Sequence, residues 1–146
     1  MVQTFATTTP KGIWLGTARL KIVLADDNLV LLTEFQRLLS TEFEVVGAVG
    51  DGRALLEQCN RLQPEVIVTD ISMPVIDGFE AIALLRSHGK PKVVFLTVHE
   101  DQAFVEEAKA LGAMAYVLKR SRPSILVDAI RSAHEGRFFL CPELCE

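Results

Sequence analysis

Two carboxylates stand side by side at Asp26 and Asp27, directly after the apolar run Ile22-Val23-Leu24-Ala25. A third, Asp70, follows Val66-Ile67-Val68-Thr69. Thr97 closes Val93-Val94-Phe95-Leu96, and Lys119 closes Tyr116-Val117-Leu118. Singly, each is ordinary. An Asp after an apolar run usually caps a helix or turns the chain, a Thr favours strands, and a terminal Lys keeps its ammonium in water. Their shared placement, at the ends of apolar runs, makes them a set. Carboxylates brought to one point repel, by about 4 kcal/mol for a pair about 4 Å apart at an effective dielectric of 20. A hard divalent cation relieves this, and an all-oxygen donor set suits Mg2+ or Mn2+ rather than zinc. Mg2+ takes one or two carboxylates, keeps waters and completes its shell with phosphate oxygens, which a Lys and a Thr hydroxyl would also engage. The implied chemistry is phosphoryl transfer to a carboxylate nucleophile, giving an acyl phosphate.

Five strand-like segments, residues 20–25, 43–49, 65–70, 92–97 and 114–119, must position these groups. They alternate with helical patterns over 28–40, 52–62, 78–89, 101–112 and 124–136, the last three ended by Gly89, Gly112 and Gly136. Such alternation implies parallel pairing through helical crossovers. The third and fourth strands are apolar on both faces, as strands covered on both sides must be. The expected fold is α/β: a doubly wound, five-stranded parallel sheet in the flavodoxin-like order 2-1-3-4-5, with helices on both faces. Ligands of such sheets bind beyond the carboxyl ends of the strands, where the polar set falls. Asp70 is the nucleophile candidate, because its strand is central, with Asp26 and Asp27 on one side and Thr97 and Lys119 on the other.

The 146 residues suffice for one domain that buries about two-thirds of its unfolded surface. Hydrophobic content of 49% excludes a disordered chain, and a net charge of −4 argues against a nucleic-acid-binding surface on this segment. No apolar run approaches the ~20 residues of a membrane helix, and the N-terminus lacks a signal-peptide core; a cytoplasmic location is expected. Residues 1–18 read as a flexible arm with a lone Trp14, 19–137 as the domain, and 138–146 as the start of a linker. The three cysteines are expected to be reduced. Cys141 and Cys145 lack further ligands for zinc. Asp51 is expected to cap the second helix. His88 and His134 read as surface groups at helix ends, Glu106-Glu107 as a solvated helix face, and His99 as a solvated loop residue rather than a tuner of phosphoryl lifetime.

The residues that carry this chemistry resemble the receiver domain of two-component response regulators, of the NarL/LuxR type. The resemblance rests on Ala25-Asp26-Asp27, on the stretch Val68 to Gly78 with Met73-Pro74 and Asp77-Gly78, on Thr97 after Val-Val-Phe-Leu, and on Tyr116-Val117-Leu118-Lys119. It implies that Asp70 accepts a phosphoryl group from a sensor histidine kinase. It implies that Asp26, Asp27, Asp70 and the Ser72 carbonyl hold Mg2+, and that Thr97 and Lys119 bind the phosphoryl oxygens. Tyr116 matches a switch position that moves with Thr97. It further implies a homodimer on phosphorylation and a transcriptional output through a C-terminal helix-turn-helix domain outside this chain. Two positions depart from many receivers: Arg120 stands where Pro is common, and Val98 where Ala is common, a bulk expected to narrow access to the phosphate.

The same residues bear on three other readings. A stand-alone receiver acting by protein contact remains open. A haloacid-dehalogenase-like phosphatase needs a second Asp two residues after its nucleophile, and those positions hold Ser72 and Leu29. A flavodoxin needs a phosphate-cradling first loop, and Asp26-Asp27-Asn28 would repel phosphate unless a cation intervenes.

Overall fold

The structure is a computed structural model that describes residues 19–85 and 91–145. The expected arm, Trp14, His88 and the helix end at Gly89 lie outside the described residues. Five strands form as expected: β1 (Lys21–Ala25), β2 (Glu44–Val49), β3 (Val66–Thr69), β4 (Lys92–Thr97) and β5 (Ala115–Leu118). All pair in parallel, in the order β2-β1-β3-β4-β5. Every residue of β3 and β5 is buried, whereas β2 at the edge is only half-buried along its length. That gradient explains why β3 carries an unbroken apolar run while β2 tolerates Gly47.

The helices are α1 (Leu29–Leu39), α2 (Gly52–Leu62), α3 (Gly78–Leu85), α4 (Gln102–Ala110) and α5 (Pro123–His134). On one face Arg131 of α5 lies over the Phe43 ring and pairs with Glu42, both in the turn between α1 and β2. On the other, α2 touches α3, and Phe79 of α3 meets Phe104 of α4 edge-on at 6.0 Å. Asn28 caps α1, its side-chain oxygen accepting from Val30 and Leu31 N–H, and Asp51 caps α2 as expected, accepting from Ala54 N–H at 2.8 Å. Beyond α4 and α5 the chain turns at Gly112 (φ 89°) and Gly136 (φ 83°), where the left-handed backbone favours glycine.

One feature departs from expectation. Residues 138–146 were expected to begin a linker, but Phe139–Leu140 forms a sixth strand, β6, parallel to Ala115 and Tyr116 of β5. Cys141 after it is fully buried, and Pro142–Leu144 makes one turn of 3-10 helix. A two-residue strand has no periodicity, so its pairing is decided by the edge that β5 would otherwise leave open.

The loop between β3 and α3 is clamped at two glycines. A Cβ at Gly78 would lie 2.0 Å from the Asp70 carbonyl oxygen, and one at Gly52 would lie 2.0 Å from the Ile76 carbonyl oxygen. Gly78 N–H also donates to the Ile71 carbonyl at 2.6 Å. Between these points Val75 is held at φ 71°, a costly conformation for a β-branched residue that persists only where its surroundings dictate it. Gly78 therefore has a steric role directly behind Asp70. Gly78→Ala should cost about 2–3 kcal/mol through overpacking, lowering the thermal midpoint by at least ~5 °C in a calorimetric or circular-dichroism melt. Burial separates the thiols as well. Cys59 and Cys141 are buried, with the Cys59 thiol pushed up to about 12 by desolvation, while Cys145 is exposed. Native alkylation followed by peptide mass mapping should label Cys145 first, and the other two only on unfolding.

Candidate functional site

The chain leaves β1 for β2 on one side and returns to β3 on the other, so the strand order reverses at the β1–β3 pair. A crevice opens at such a point beyond the strand tips. Asp26 and Asp70 occupy those two tips. Backbone bonds fix both: Asp26 N–H donates to the Val49 carbonyl and Asp70 N–H to the Ala25 carbonyl, each at 3.0 Å. Asp26 is 1% and Asp70 5% exposed, whereas Asp27 is an exposed residue. One carboxylate oxygen from each of the three lies within 4.8 Å of the others. The triad expected from sequence is thus brought together.

Local hydrogen bonds orient the two buried groups. Asp26 Oδ1 accepts from Asn28 N–H at 2.9 Å, and Asp70 Oδ1 accepts from Ile71 N–H at 2.7 Å. Their other oxygens face Lys119, which reaches over from the tip of β5. Its Nζ donates to Asp70 Oδ2 at 2.7 Å and lies 2.8 Å from Asp26 Oδ2. The approach to Asp26 is ion pairing without hydrogen-bond alignment, so this fully buried oxygen keeps unused acceptor capacity. Burial pulls the Lys119 ammonium toward neutrality, but its contacts with Asp26 and Asp70 outweigh that and hold its pKa above the usual lysine value. Three carboxylates against one ammonium still leave two negative charges in excess. Uncompensated charge in an all-oxygen site fits a hard divalent cation, with Asp26, Asp27 and Asp70 as its carboxylate donors.

Thr97 is fully buried at the tip of β4. Its Oγ1 accepts from His99 N–H at 3.2 Å, which leaves the hydroxyl proton free to donate. Lys119 N–H donates to the Thr97 carbonyl at 2.8 Å, joining the tips of β4 and β5. Tyr116 is fully buried, and its hydroxyl donates to the His99 carbonyl at 2.8 Å. Desolvation, then the nearby Asp101, push that phenol well above its ordinary pKa, so it remains a donor. The ring at the expected switch position is thus buried in this structure.

His99 is a half-buried loop residue with partners that the sequence did not suggest. Its Nε2 lies 2.8 Å from Ser72 Oγ, and its ring packs edge-on against Phe104 at 4.5 Å. It bridges the loop after β4 to the loop after Asp70. Arg120 pairs with Glu100 through two contacts at 3.1 and 3.2 Å, a second tie between the β4 and β5 loops. Neither link was legible, since His99 to Ser72 spans 27 residues and no short motif encodes it. Val98 is exposed beside Thr97, and Glu106 and Glu107 are exposed on α4 as expected.

Comparison with known proteins places the chain in one family. The response regulator receiver domain matches residues 22–131. The transcriptional regulatory protein DegU of Brevibacillus brevis is 31% identical over 129 residues, covering 86% of this chain and 55% of that protein. LnrK of Bacillus subtilis, also a transcriptional regulatory protein, is 33% identical over 128 residues, covering 86% of this chain and 58% of that one. The chain therefore spans little more than half the length of these relatives. Among solved structures, the signal receiver domain of the response regulator NarL from Mycobacterium tuberculosis aligns with a TM-score of 0.78 and 32% identity, covering 82% of this chain and 99% of that one. The isolated receiver domain of RcsB from Salmonella enterica serovar Typhimurium, with phosphomimetic BeF3−, aligns at 0.78 and 26% identity, covering 86% and 96%. A match spanning residues 22–131 identifies the chain as a member of the response regulator receiver domain family, similar to its NarL/LuxR-type members.

Proposed function

We propose that this receiver accepts a phosphoryl group on Asp70 from a phosphohistidine of a sensor kinase, with Mg2+ held by Asp26, Asp27, Asp70 and the Ser72 carbonyl. The observation that carries this reading is the meeting of three carboxylates with Lys119 at the strand-order reversal. A carboxylate oxygen of Asp70 attacks phosphorus in line; the phosphorus–nitrogen bond breaks, and its electron pair returns to the imidazole. Bound Mg2+ supplies positive charge to the carboxylates and to the phosphoryl oxygens. Lys119, already at 2.7 Å from Asp70, needs only a short movement to meet a phosphoryl oxygen, and Thr97 offers its free hydroxyl proton to another.

The output follows from the links between loops. Thr97 and Tyr116 both bond to the backbone of His99. A Thr97 drawn toward the phosphoryl group releases His99 N–H, and Tyr116 is held to the same residue, so the β4–α4 loop would shift as a unit. Phosphorylation thereby biases the α4–β5–α5 face between two states. The relatives named as transcriptional regulators support an output in transcription; we assign it to a helix-turn-helix domain outside this chain, with a homodimer formed on phosphorylation. No helix among the described residues is long and apolar enough to cross a membrane; a cytoplasmic setting is part of this proposal.

Incubation with acetyl phosphate, read by intact mass, should add one phosphoryl group that requires Mg2+ and is lost in Asp70→Asn. Label persisting in that variant would remove Asp70 from its role. Lys119→Ala should slow the labelling about 100-fold or more, the usual cost of a pre-placed charged donor. Mg2+ should raise stability by about 2.7 kcal/mol at one hundred times its Kd, some 6–10 °C in the thermal midpoint, and Asp27→Asn should remove most of that gain.

A further inference from the structure

A surface groove of about 470 Å3 runs between α3 and α4. Phe79, Ala83, Phe104 and Leu111 form its apolar part, and Glu80 and Glu107 add carboxylates from opposite helices. Asp77 adds a third near the start of α3, and no Lys or Arg is among the lining residues. The floor is braced, because Phe79 meets Phe95 of β4 edge-on at 5.1 Å as well as Phe104. Rings locked in this way keep the groove open rather than letting it collapse. Its volume falls within the ~300–1,000 Å3 of ligand sites.

Charge selects the occupant. The acidic rim on a chain of net charge −4 repels nucleic acid, anionic headgroups and a second copy of this face. We propose that the α3–α4 groove docks a segment of a partner protein that presents a Leu, Ile or Phe anchor flanked by Lys or Arg. The anchor enters against Phe79, Phe104 and Leu111 beside the small Ala83, and the cations meet Glu80 and Glu107, as in helix-in-groove recognition. The groove also touches the acceptor loop, since Phe104 packs on His99 and His99 holds Ser72. Docking is a property of this surface alone and does not require that Asp70 be phosphorylated.

The test is a titration of the 15N-labelled chain with an amidated peptide, Lys-Lys-Leu-Phe-Lys-Lys, and with a control in which Gly-Ser replaces Leu-Phe. Amide shifts should cluster on Phe79, Glu80, Ala83, Phe104, Glu107 and Leu111, and the control should bind at least tenfold more weakly. Ala83→Trp, at an exposed position, fills the groove and should weaken binding at least tenfold with the rest of the spectrum unchanged. Glu80→Lys with Glu107→Lys should do the same without altering the apolar wall. Shifts centred on Asp26, Asp27 and Asp70, an equal response to the control, affinity indifferent to both variants, or no response at all would overturn the proposal.

Discussion

Everything at the crevice depends on an electrostatic imbalance that the backbone imposes. Two parallel strand tips hold Asp26 and Asp70 nearly out of water, Asp27 stands beside them, and a single ammonium spans the buried pair. Charges so desolvated are costly unless compensated, and one Lys cannot compensate three carboxylates. The site is therefore poised for added positive charge, which is the property a phosphoryl-accepting centre requires.

The surrounding structure keeps that imbalance from relaxing. Gly78 lets the start of α3 approach the Asp70 carbonyl, and Gly52 lets the start of α2 approach Ile76, so the loop after Asp70 is fixed at both ends. Asn28 does double duty, capping α1 with its side chain while its N–H holds Asp26 Oδ1. The acidic groups are consequently pre-placed by packing and helix capping rather than by flexible loops, which lowers the reorganisation needed when charge arrives.

His99 gathers contacts from β4, β5, α4 and the loop after Asp70. Its N–H meets Thr97, its carbonyl meets Tyr116, its ring meets Phe104, and its Nε2 meets Ser72. A displacement at one of these partners is felt by the others because all four act on one residue. Glu100 with Arg120, and Ser121 with Glu143 beyond β6, extend the same loops to the C-terminal edge of the sheet.

The sequence by itself determined the βα alternation, the central placement of β3 and the polar residue at each strand tip. These depend on local pattern: unbroken apolar runs mark strands covered on both faces, and a parallel sheet sends every strand end to one rim. It also identified Asp26, Asp27, Asp70, Thr97 and Lys119 as one set, and the cap at Asp51 follows from residue type. Tertiary structure alone decided the rest. Lys119 sits between two carboxylates, and His99 bridges to Ser72, through contacts between residues far apart in the chain, which no spacing rule encodes. β6 exists because β5 offers unpaired backbone groups to a segment too short to show a period. Gly78 and Gly52 could be located in the sequence, but the carbonyls that exclude a Cβ there are known only once helix and loop have packed.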